Sequence, residues 1–178
     1  QAQLGLAIGG PVLLLLIGLA PWVITLLYSE EFGPAVAPLQ WQMVGNVFKI
    51  ASWALGFSIA ASARGKTFLF VQVNFNLLFL LMLWPTLASF GIIAVGPAFT
   101  IAYILHFALL YFIVRSIFQF RWQRLSLAIL AIHTSLAIAL LGTTLFLPQF
   151  AAFASVCLAL VTGVFGVRVV LSKIGNQG

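Results

Sequence analysis

Residues 4–28 have the sequence LGLAIGGPVLLLLIGLAPWVITLLY, which contains no charged side chain. A helix that crosses the hydrocarbon core of a bilayer needs about 20 predominantly apolar residues, so this stretch is long enough to span a membrane. It is followed by the polar residues 29–31 (Ser-Glu-Glu) and then by Gly33 and Pro34, a combination typical of a turn. The stretch therefore predicts a transmembrane helix that ends in a short connection.

The composition of the whole chain indicates the same environment. Of its 178 residues, 63% are hydrophobic and 6% are charged, whereas about 25% of residues are charged in a soluble globular domain. So few charges cannot cover a water-facing surface, which excludes a soluble enzyme, a nucleic-acid-binding module and a disordered tail. The net charge of +6 is spread between the apolar runs instead of forming one basic patch, so we expect no nucleic-acid partner.

Six stretches of the chain are long enough to cross a bilayer. They comprise residues 4–28, 37–62, 67–89, 91–115, 125–147 and 150–171. Turn residues such as Gly65 and Pro148 lie between them, although no charge marks the break before Gly91. No stretch shows the polar–apolar alternation of a barrel strand. The predicted fold is therefore an all-α polytopic membrane protein with about six transmembrane helices.

The basic residues predict the orientation of these helices. All eight lysines and arginines except Lys49 fall in or beside connections on one side of the predicted membrane. These residues are Arg64, Lys66, Arg115, Arg121, Arg124, Arg168 and Lys173. Glu30 and Glu31 lie in a connection on the opposite side. Because short cytoplasmic loops are enriched in lysine and arginine, we expect the basic side, and both ends of the chain, to be cytoplasmic.

The segment 116–124 lies on this basic side, between the fourth and fifth spans. Its aromatic residues Phe118, Phe120 and Trp122 alternate with arginines near its end. Apolar side chains combined with arginines favour the head-group region of a membrane. We therefore expect this segment to lie at the inner interface.

Lys49 is the one charged residue that falls deep within a predicted span. It stands about twelve residues into the second span, in a polar stripe that recurs with helical spacing. The stripe consists of Gln42, Asn46, Lys49, Trp53 and Gly56. A charge at mid-bilayer costs about 2.5–3.5 kcal/mol on insertion scales, so Lys49 requires a partner. Either it binds an anionic group that passes through the membrane, or it pairs with a carboxylate outside this chain and fixes helix packing.

Other polar residues within the predicted spans offer weaker candidates for a site. Gln72 and Asn76 of the third span share a helical face, while Asn74 points elsewhere. Buried amides also join helices through hydrogen bonds, so these side chains serve either substrate or packing. His106 and His133 are isolated, and neither has a second ligand at metal spacing. We expect them to make interhelical contacts, and we expect no metal and no cofactor.

The sequence lacks the motifs of the common hydrolases and metalloenzymes. There is no H-E-x-x-H, no G-x-S-x-G and no phosphate-binding glycine loop. The chain has no Asp, and its two carboxylates, Glu30 and Glu31, are adjacent in one short connection. The single cysteine, Cys157, excludes an internal disulfide and a cysteine-cluster zinc site. We therefore expect this chain not to be an enzyme.

Two motifs around the second span resemble a known family. Residues 26–32 follow the pattern LLYS-x-x-F, and residues 41–49 follow WQ-x-x-G-N-x-x-K. The run from Gly96 to Tyr103 adds a helix rich in small residues. Over about residues 20–116 the chain resembles the C-terminal half of the bacterial O-antigen and enterobacterial-common-antigen translocases. These are polysaccharide-unit flippases of the multidrug/oligosaccharidyl-lipid/polysaccharide exporter superfamily.

The resemblance implies a fold and a function. The fold is one lobe of a two-lobed helical bundle around a cationic cavity, and the function is the flipping of undecaprenyl-pyrophosphate-linked oligosaccharide units across the bacterial inner membrane by alternating access. Lys49 occupies the lysine position of the second motif, which implies a contact with the pyrophosphate or with acidic sugars. Gln42 and Asn46 are its neighbours, and Gln72 and Asn76 are further candidates. The implied partners are the lipid-linked oligosaccharide, membrane lipids and other polysaccharide-assembly membrane proteins.

The resemblance also divides the chain. Residues 1–122 are predicted to form four helices of the flippase C-terminal lobe, and residues 123–178 an additional transmembrane pair without a matching motif. Because the chain enters apolar sequence at once and without an initiator Met, we expect it to be part of a longer membrane protein.

Three other functions remain open at this point. A drug or metabolite exporter of the same superfamily would share the fold, although its usual intramembrane carboxylates are not found in this chain. A membrane-embedded polymerase or glycosyltransferase would be expected to have long periplasmic loops with Arg, His or Asp. A structural membrane subunit would use Lys49 only to hold a partner carboxylate.

Overall fold

The computed structural model describes residues 1–175 of the chain, and the side chains of residues 1–172. The described residues form six α-helices and two short 3₁₀ turns, without a strand, which confirms the predicted all-α class. The helices are α1 (Ala2–Leu27), α2 (Val36–Ala61), α3 (Gly65–Phe90), α4 (Val95–Phe118), α5 (Arg124–Phe146) and α6 (Pro148–Gly175). The 3₁₀ turns are Glu30–Ala35 and Gly91–Ala94. Each predicted span coincides with one helix to within a few residues.

Five helical stretches of the described chain are long and apolar enough to cross a membrane. One of them, Gly65–Phe118, contains 54 residues and comprises α3, the second 3₁₀ turn and α4. A straight helix of that length would extend about 80 Å, whereas the hydrocarbon core is about 30 Å thick. The chain reverses at Gly91, which has a φ of 58°, and α3 and α4 pack against one another as an antiparallel pair.

The bundle is organised around α1. This helix packs against α2, α5 and α6, while α2 also packs against α4 and α5. Large side chains such as Leu14, Ile17 and Leu140 are fully buried in the common core. In contrast, α3 buries only Val71 and is held mainly by α4. The last two helices are thus packed onto the first, and the assignment of residues 123–178 as an additional pair stays a prediction.

Small residues bring the helix backbones close together. A Cβ atom added to Gly18 of α1 would meet Ser155 and the Ala151 carbonyl of α6, and one added to Gly45 of α2 would lie 3.0 Å from the Thr100 Cα of α4. In a membrane, where the lipid is as apolar as the side chains, such close packing is a main source of helix association. Gly10 of α1 also lies at a close contact, because an added Cβ there would meet the ring of His133 on α5.

Two prolines lie inside α1, and each removes a backbone donor. Proline has no N–H, so the carbonyl four residues earlier loses its helical partner, which in this helix affects Ala7 and Ile17. The side chain of Gln40 in α2 replaces the missing donor for Ile17, since its Nε2 donates to the Ile17 carbonyl at 3.1 Å. The Ala7 carbonyl faces the Cα of Gly166 in α6. Both freed carbonyls are therefore covered by neighbouring helices instead of lipid.

The basic connections gather at one end of the bundle. Gln3, at the start of α1, donates through Nε2 to Gln123 Oε1 at 3.1 Å and to Ser126 Oγ at 2.9 Å, at the start of α5. At the same end, the Arg64 guanidinium lies 6.0 Å from the centroid of the Phe118 ring. The two 3₁₀ turns contact one another at the opposite end. The side chain of Lys173, which was counted with the basic end, lies outside the described residues.

The segment between α4 and α5 is more deeply packed than expected. Trp122 is 8% exposed, and its ring lies 5.3 Å from that of Phe107 and 6.5 Å from that of Tyr111. Trp122 therefore belongs to the protein core, a packing that the sequence did not predict, and the location of the segment at the inner interface stays a prediction. Arg121 and Arg124 are exposed at the same end, as expected.

Candidate functional site

Lys49 lies in the middle of α2. At a rise of 1.5 Å per residue, it is about 20 Å along the helix from Val36 and about 18 Å from Ala61. Its side chain is half-buried. Neither interface is within easy reach of a lysine at this depth, so its ammonium must be stabilised within the membrane.

Three aromatic rings surround the Lys49 ammonium. Its Nζ lies 5.3 Å from the ring centroid of Trp53, 5.8 Å from that of Phe99 and 5.7 Å from that of Tyr103. Trp53 is on α2, one turn after the lysine, and the other two rings are on α4. A cation within about 6 Å of a ring centroid is attracted by the negative face of the ring, and each such contact contributes about 0.5–2 kcal/mol. Three contacts are thus comparable with the cost of placing the charge at mid-bilayer, about 2.5–3.5 kcal/mol.

These rings are part of a larger aromatic cluster between α3 and α4. Phe75 of α3 lies 4.3 Å from Tyr103 and 5.3 Å from His106, centroid to centroid. Phe79 meets Phe99 edge-on at 6.4 Å. Aromatic pairs at these distances stabilise one another beyond their burial. The cluster therefore fixes the two α4 rings that contact Lys49.

The two carboxylates of the chain cannot serve as partners for Lys49. Glu30 and Glu31 are both exposed on the first 3₁₀ turn, which immediately precedes α2. That turn is separated from Lys49 by about 20 Å of helix. Among the described residues, the ammonium contacts aromatic rings and no carboxylate.

The predicted polar stripe of α2 lies on one side of the helix. Gln42, Asn46 and Lys49 are half-buried, and Trp53 is 57% exposed. The opposite side is apolar and buried, and includes Val44, Val47, Ala51 and Leu55. Asn46 makes only a long contact, from Nδ2 to the Met43 sulfur at 3.9 Å. The amides near Lys49 are thus free to bind a ligand or another helix.

The candidate residues of α3 lie apart from Lys49. Gln72 and Asn76 are both exposed, and Asn76 Nδ2 donates to the backbone carbonyl of Gln72 at 2.9 Å. Asn74 points elsewhere, as predicted, and its Oδ1 is buried without a hydrogen-bond partner. The aromatic cluster, through Phe75 and Tyr103, joins this helix to the Lys49 surroundings. The structure therefore groups Gln42, Asn46 and Lys49, and places Gln72 and Asn76 on a neighbouring helix.

The two histidines are interhelical, but neither is fully hydrogen-bonded. His133 is 2% exposed, its Nδ1 donates to the Ile129 carbonyl at 2.9 Å, and its Nε2 has no partner. The Nδ1 of His106 is likewise buried without a partner. Among the described residues, no group of three His, Cys, Asp or Glu side chains could hold a metal ion.

Sequence reasoning missed Gln40 and Gln3, which are buried and join helices. Gln40 lies two residues before Gln42 but on the opposite, buried side of α2. The sequence signal for the role of Gln40 was Pro21, which leaves the Ile17 carbonyl of α1 without a helical donor. That signal does not show which helix supplies the replacement donor. Both glutamines act in packing, because their hydrogen bonds are made within the protein.

Two cavities lie along the groove between α1 and α2. One, of about 400 Å³, opens at the basic end and is lined by Gln3, Ser58, Arg121 and Gln123, among others. The other, of about 300 Å³, is lined by Gly5, Ile50, Trp53 and Phe57. Gln1 and Ala54 border both cavities. Together they extend from the basic end to Trp53, the residue that contacts the Lys49 ammonium.

The fold and this site define a class: a multi-pass membrane protein with a half-buried cation midway along a helix, in contact with aromatic rings. Comparison with known proteins narrows the class. The lipid III flippases of Escherichia coli (strain K12) and of Shigella flexneri are each 28% identical to the chain over 92 residues. The matched stretch covers 51% of this chain and 22% of each flippase. No family model and no solved structure matches the chain.

These matches confirm the resemblance at a general level. Over half of its length the chain is similar to a flippase, as its two motifs predicted. The matched stretch spans about a fifth of the length of the flippases, and the match does not extend to an O-antigen substrate.

Proposed function

We propose that this chain is part of a transporter that flips undecaprenyl-pyrophosphate-linked oligosaccharide units across the bacterial inner membrane. In this proposal the chain acts in transport and not in catalysis. The lipid-linked oligosaccharide and membrane lipids are its partners, together with other polysaccharide-assembly membrane proteins. The proposed mechanism is alternating access between two lobes, of which this chain provides one.

The environment of Lys49 is the observation that carries the proposal. A pyrophosphate cannot enter hydrocarbon without compensating charge and hydrogen bonds. Lys49 supplies a cation halfway along α2, and its ammonium is held by rings that leave its charge in place. Gln42 and Asn46 add neutral amides on the same side of the helix. One cation with neutral neighbours attracts an anionic head group without holding it so tightly that it cannot leave.

The amides on α3 have a secondary role in this proposal. Gln72 and Asn76 are exposed on the helix that packs beside α4. A head group that moves between two lobes would meet hydrogen-bonding groups from more than one helix. We assign these two side chains to the sugar portion of the substrate, since neither contributes a charge.

Substitution of Lys49 tests the proposal directly. We expect Lys49→Ala to lower translocation at least tenfold, which corresponds to about 1.4 kcal/mol of lost interaction, while membrane insertion is unchanged. The measurement is surface polysaccharide in strains lacking their own O-antigen or common-antigen translocase, at matched membrane levels of the protein that contains this chain. Rescue in one strain and not in the other would also assign the oligosaccharide.

Two further variants complete the experiment. Arg168→Ala removes an exposed cation from α6 and should leave translocation unchanged, which controls for total charge. Lys49→Arg should retain part of the activity, because a guanidinium also binds phosphate and stacks on aromatic rings. Normal translocation by Lys49→Ala would contradict the assigned role of Lys49.

A further inference from the structure

The rings around Lys49 differ from the usual way in which proteins stabilise a membrane-buried cation. A carboxylate partner would neutralise the charge and accept hydrogen bonds from the ammonium. An aromatic ring attracts the cation through its quadrupole and carries no net charge. A lysine whose neighbours are rings therefore has no counter-ion among them.

Lys49 is half-buried, so part of its side chain is not covered by the residues around it. Phe99 and Tyr103 approach the ammonium from α4, and Trp53 approaches from one turn further along α2. Trp53 is 57% exposed and borders the cavity of about 300 Å³. Tyr103, by contrast, is buried in the aromatic cluster. The ammonium thus contacts two rings of the aromatic cluster on α4 and one exposed ring on α2.

We infer that Trp53, Phe99 and Tyr103 are positioning residues that hold the Lys49 ammonium uncompensated at mid-membrane, so that an anionic head group is its counter-charge. This inference rests on the proposed function, and it adds a reason for selectivity. A neutral lipid head group would gain nothing at this site. An anionic one would replace the absent carboxylate.

The position of the ammonium can be measured without any transport assay. The lysines of the chain are Lys49, Lys66 and Lys173. In protein labelled with ¹³C-lysine, Lys49→Arg removes and thereby assigns one ε-methylene signal. Protons over the face of an aromatic ring are shifted upfield, so we expect the Lys49 signal well upfield of that of Lys66, which is exposed. A Lys49 signal that coincides with that of Lys66 would overturn the inference.

A pair of matched variants tests which rings are responsible. Trp53→Leu should move the Lys49 signal toward that of Lys66, whereas Phe57→Leu should not. Trp53 and Phe57 lie one turn apart on α2 and are 57% and 61% exposed, so neither substitution disturbs the core. Tyr103→Phe should keep the shift because the ring remains, while Tyr103→Leu should reduce it. An unmoved signal in Trp53→Leu would exclude the positioning role of this ring.

Transport then separates this inference from the proposed function. Trp53→Leu should lower translocation several-fold, and clearly more than Phe57→Leu does. Loss of the upfield shift without loss of translocation would overturn the positioning role. An intact shift in a wild-type protein that rescues neither strain would instead contradict the proposed function and leave the ring contacts established.

Discussion

Pro21 and Gln40 form a pair across two helices. Pro21 cannot donate to the Ile17 carbonyl, and the Gln40 side chain supplies the missing hydrogen bond at 3.1 Å. In lipid, an unpaired carbonyl has no water to bind. The polar side chain of Gln40 is thus explained by the proline of the neighbouring helix, and not by a ligand.

This pairing predicts a conditional effect on stability. Gln40→Met keeps the side-chain volume but leaves the Ile17 carbonyl unpaired, so we expect it to lower the free energy of unfolding by about 1–2 kcal/mol. Pro21→Ala restores a backbone donor to that carbonyl, and in this background the cost of Gln40→Met should fall to less than half. Unfolding of the four proteins in detergent measures the cycle. An equal cost in both backgrounds would refute the pairing.

The sequence predicted the Lys49 site only in part. The structure places Lys49 midway along α2 and the polar stripe on one side of that helix, as spacing within one helix predicts. Phe99 and Tyr103, in contrast, are some fifty residues further along the chain, and their approach depends on how α2 packs against α4. No local pattern specifies such a contact. The roles of the five candidate residues toward a substrate stay a prediction.

At the scale of elements, α1 depends on its small residues. Gly18 faces α6 so closely that an added Cβ would meet the Ala151 carbonyl oxygen at 2.5 Å. Backbone atoms cannot rotate away as a side chain can, so the two helices would have to separate. Gly142 of α5 has nothing within 4 Å of an added Cβ. It is therefore a suitable control position for the substitution of Gly18.

The two glycines should therefore respond in opposite directions to the same change. We expect Gly18→Ala to destabilise the protein by about 1–3 kcal/mol through overpacking. Gly142→Ala should be neutral or should stabilise it by up to about 1 kcal/mol, because alanine favours the helix more than glycine does. Thermal unfolding in detergent, followed by circular dichroism, compares the two. Unchanged stability of Gly18→Ala would show that the α1–α6 contact is looser than described.

The helices themselves were predicted well because their signals are local. Length, apolar composition and turn residues placed all six, including the uncharged break at Gly91, where the positive φ of 58° suits glycine. Their arrangement was not predicted, since nothing in the apolar sequence states that α6 would pack onto α1. The burial of Trp122 was also missed, because an aromatic ring beside arginines fits an interface as well as a core.

At the scale of the whole molecule, the two ends of the bundle differ in charge. The Arg64 turn and the Arg121–Arg124 segment lie at one end, and the Glu30–Ala35 turn lies at the other. The enrichment of basic residues in cytoplasmic loops predicts which end faces the cytoplasm. The structure establishes the two ends, and the assignment of the basic end to the cytoplasm stays a prediction.

Cysteine labelling checks this orientation. In a Cys157→Ser background, Gly33→Cys and Gly65→Cys place single thiols at opposite ends, and both positions are exposed with open space around them. We expect a membrane-impermeant maleimide to label Gly33→Cys in intact spheroplasts and Gly65→Cys only after lysis. The unsubstituted Cys157→Ser protein is the control for background labelling. The reverse pattern would invert the proposed topology.

The unequal packing of the helices has a consequence for sequence divergence. α1 touches three helices and uses glycine at its closest approaches, whereas α3 buries one residue and presents most of its surface to its surroundings. Most substitutions on α1 therefore change a contact, while an exchange of one apolar residue for another on α3 changes almost none. As related chains accumulate mutations, α3 should exchange one apolar residue for another at many positions, and α1 should retain its small residues longest.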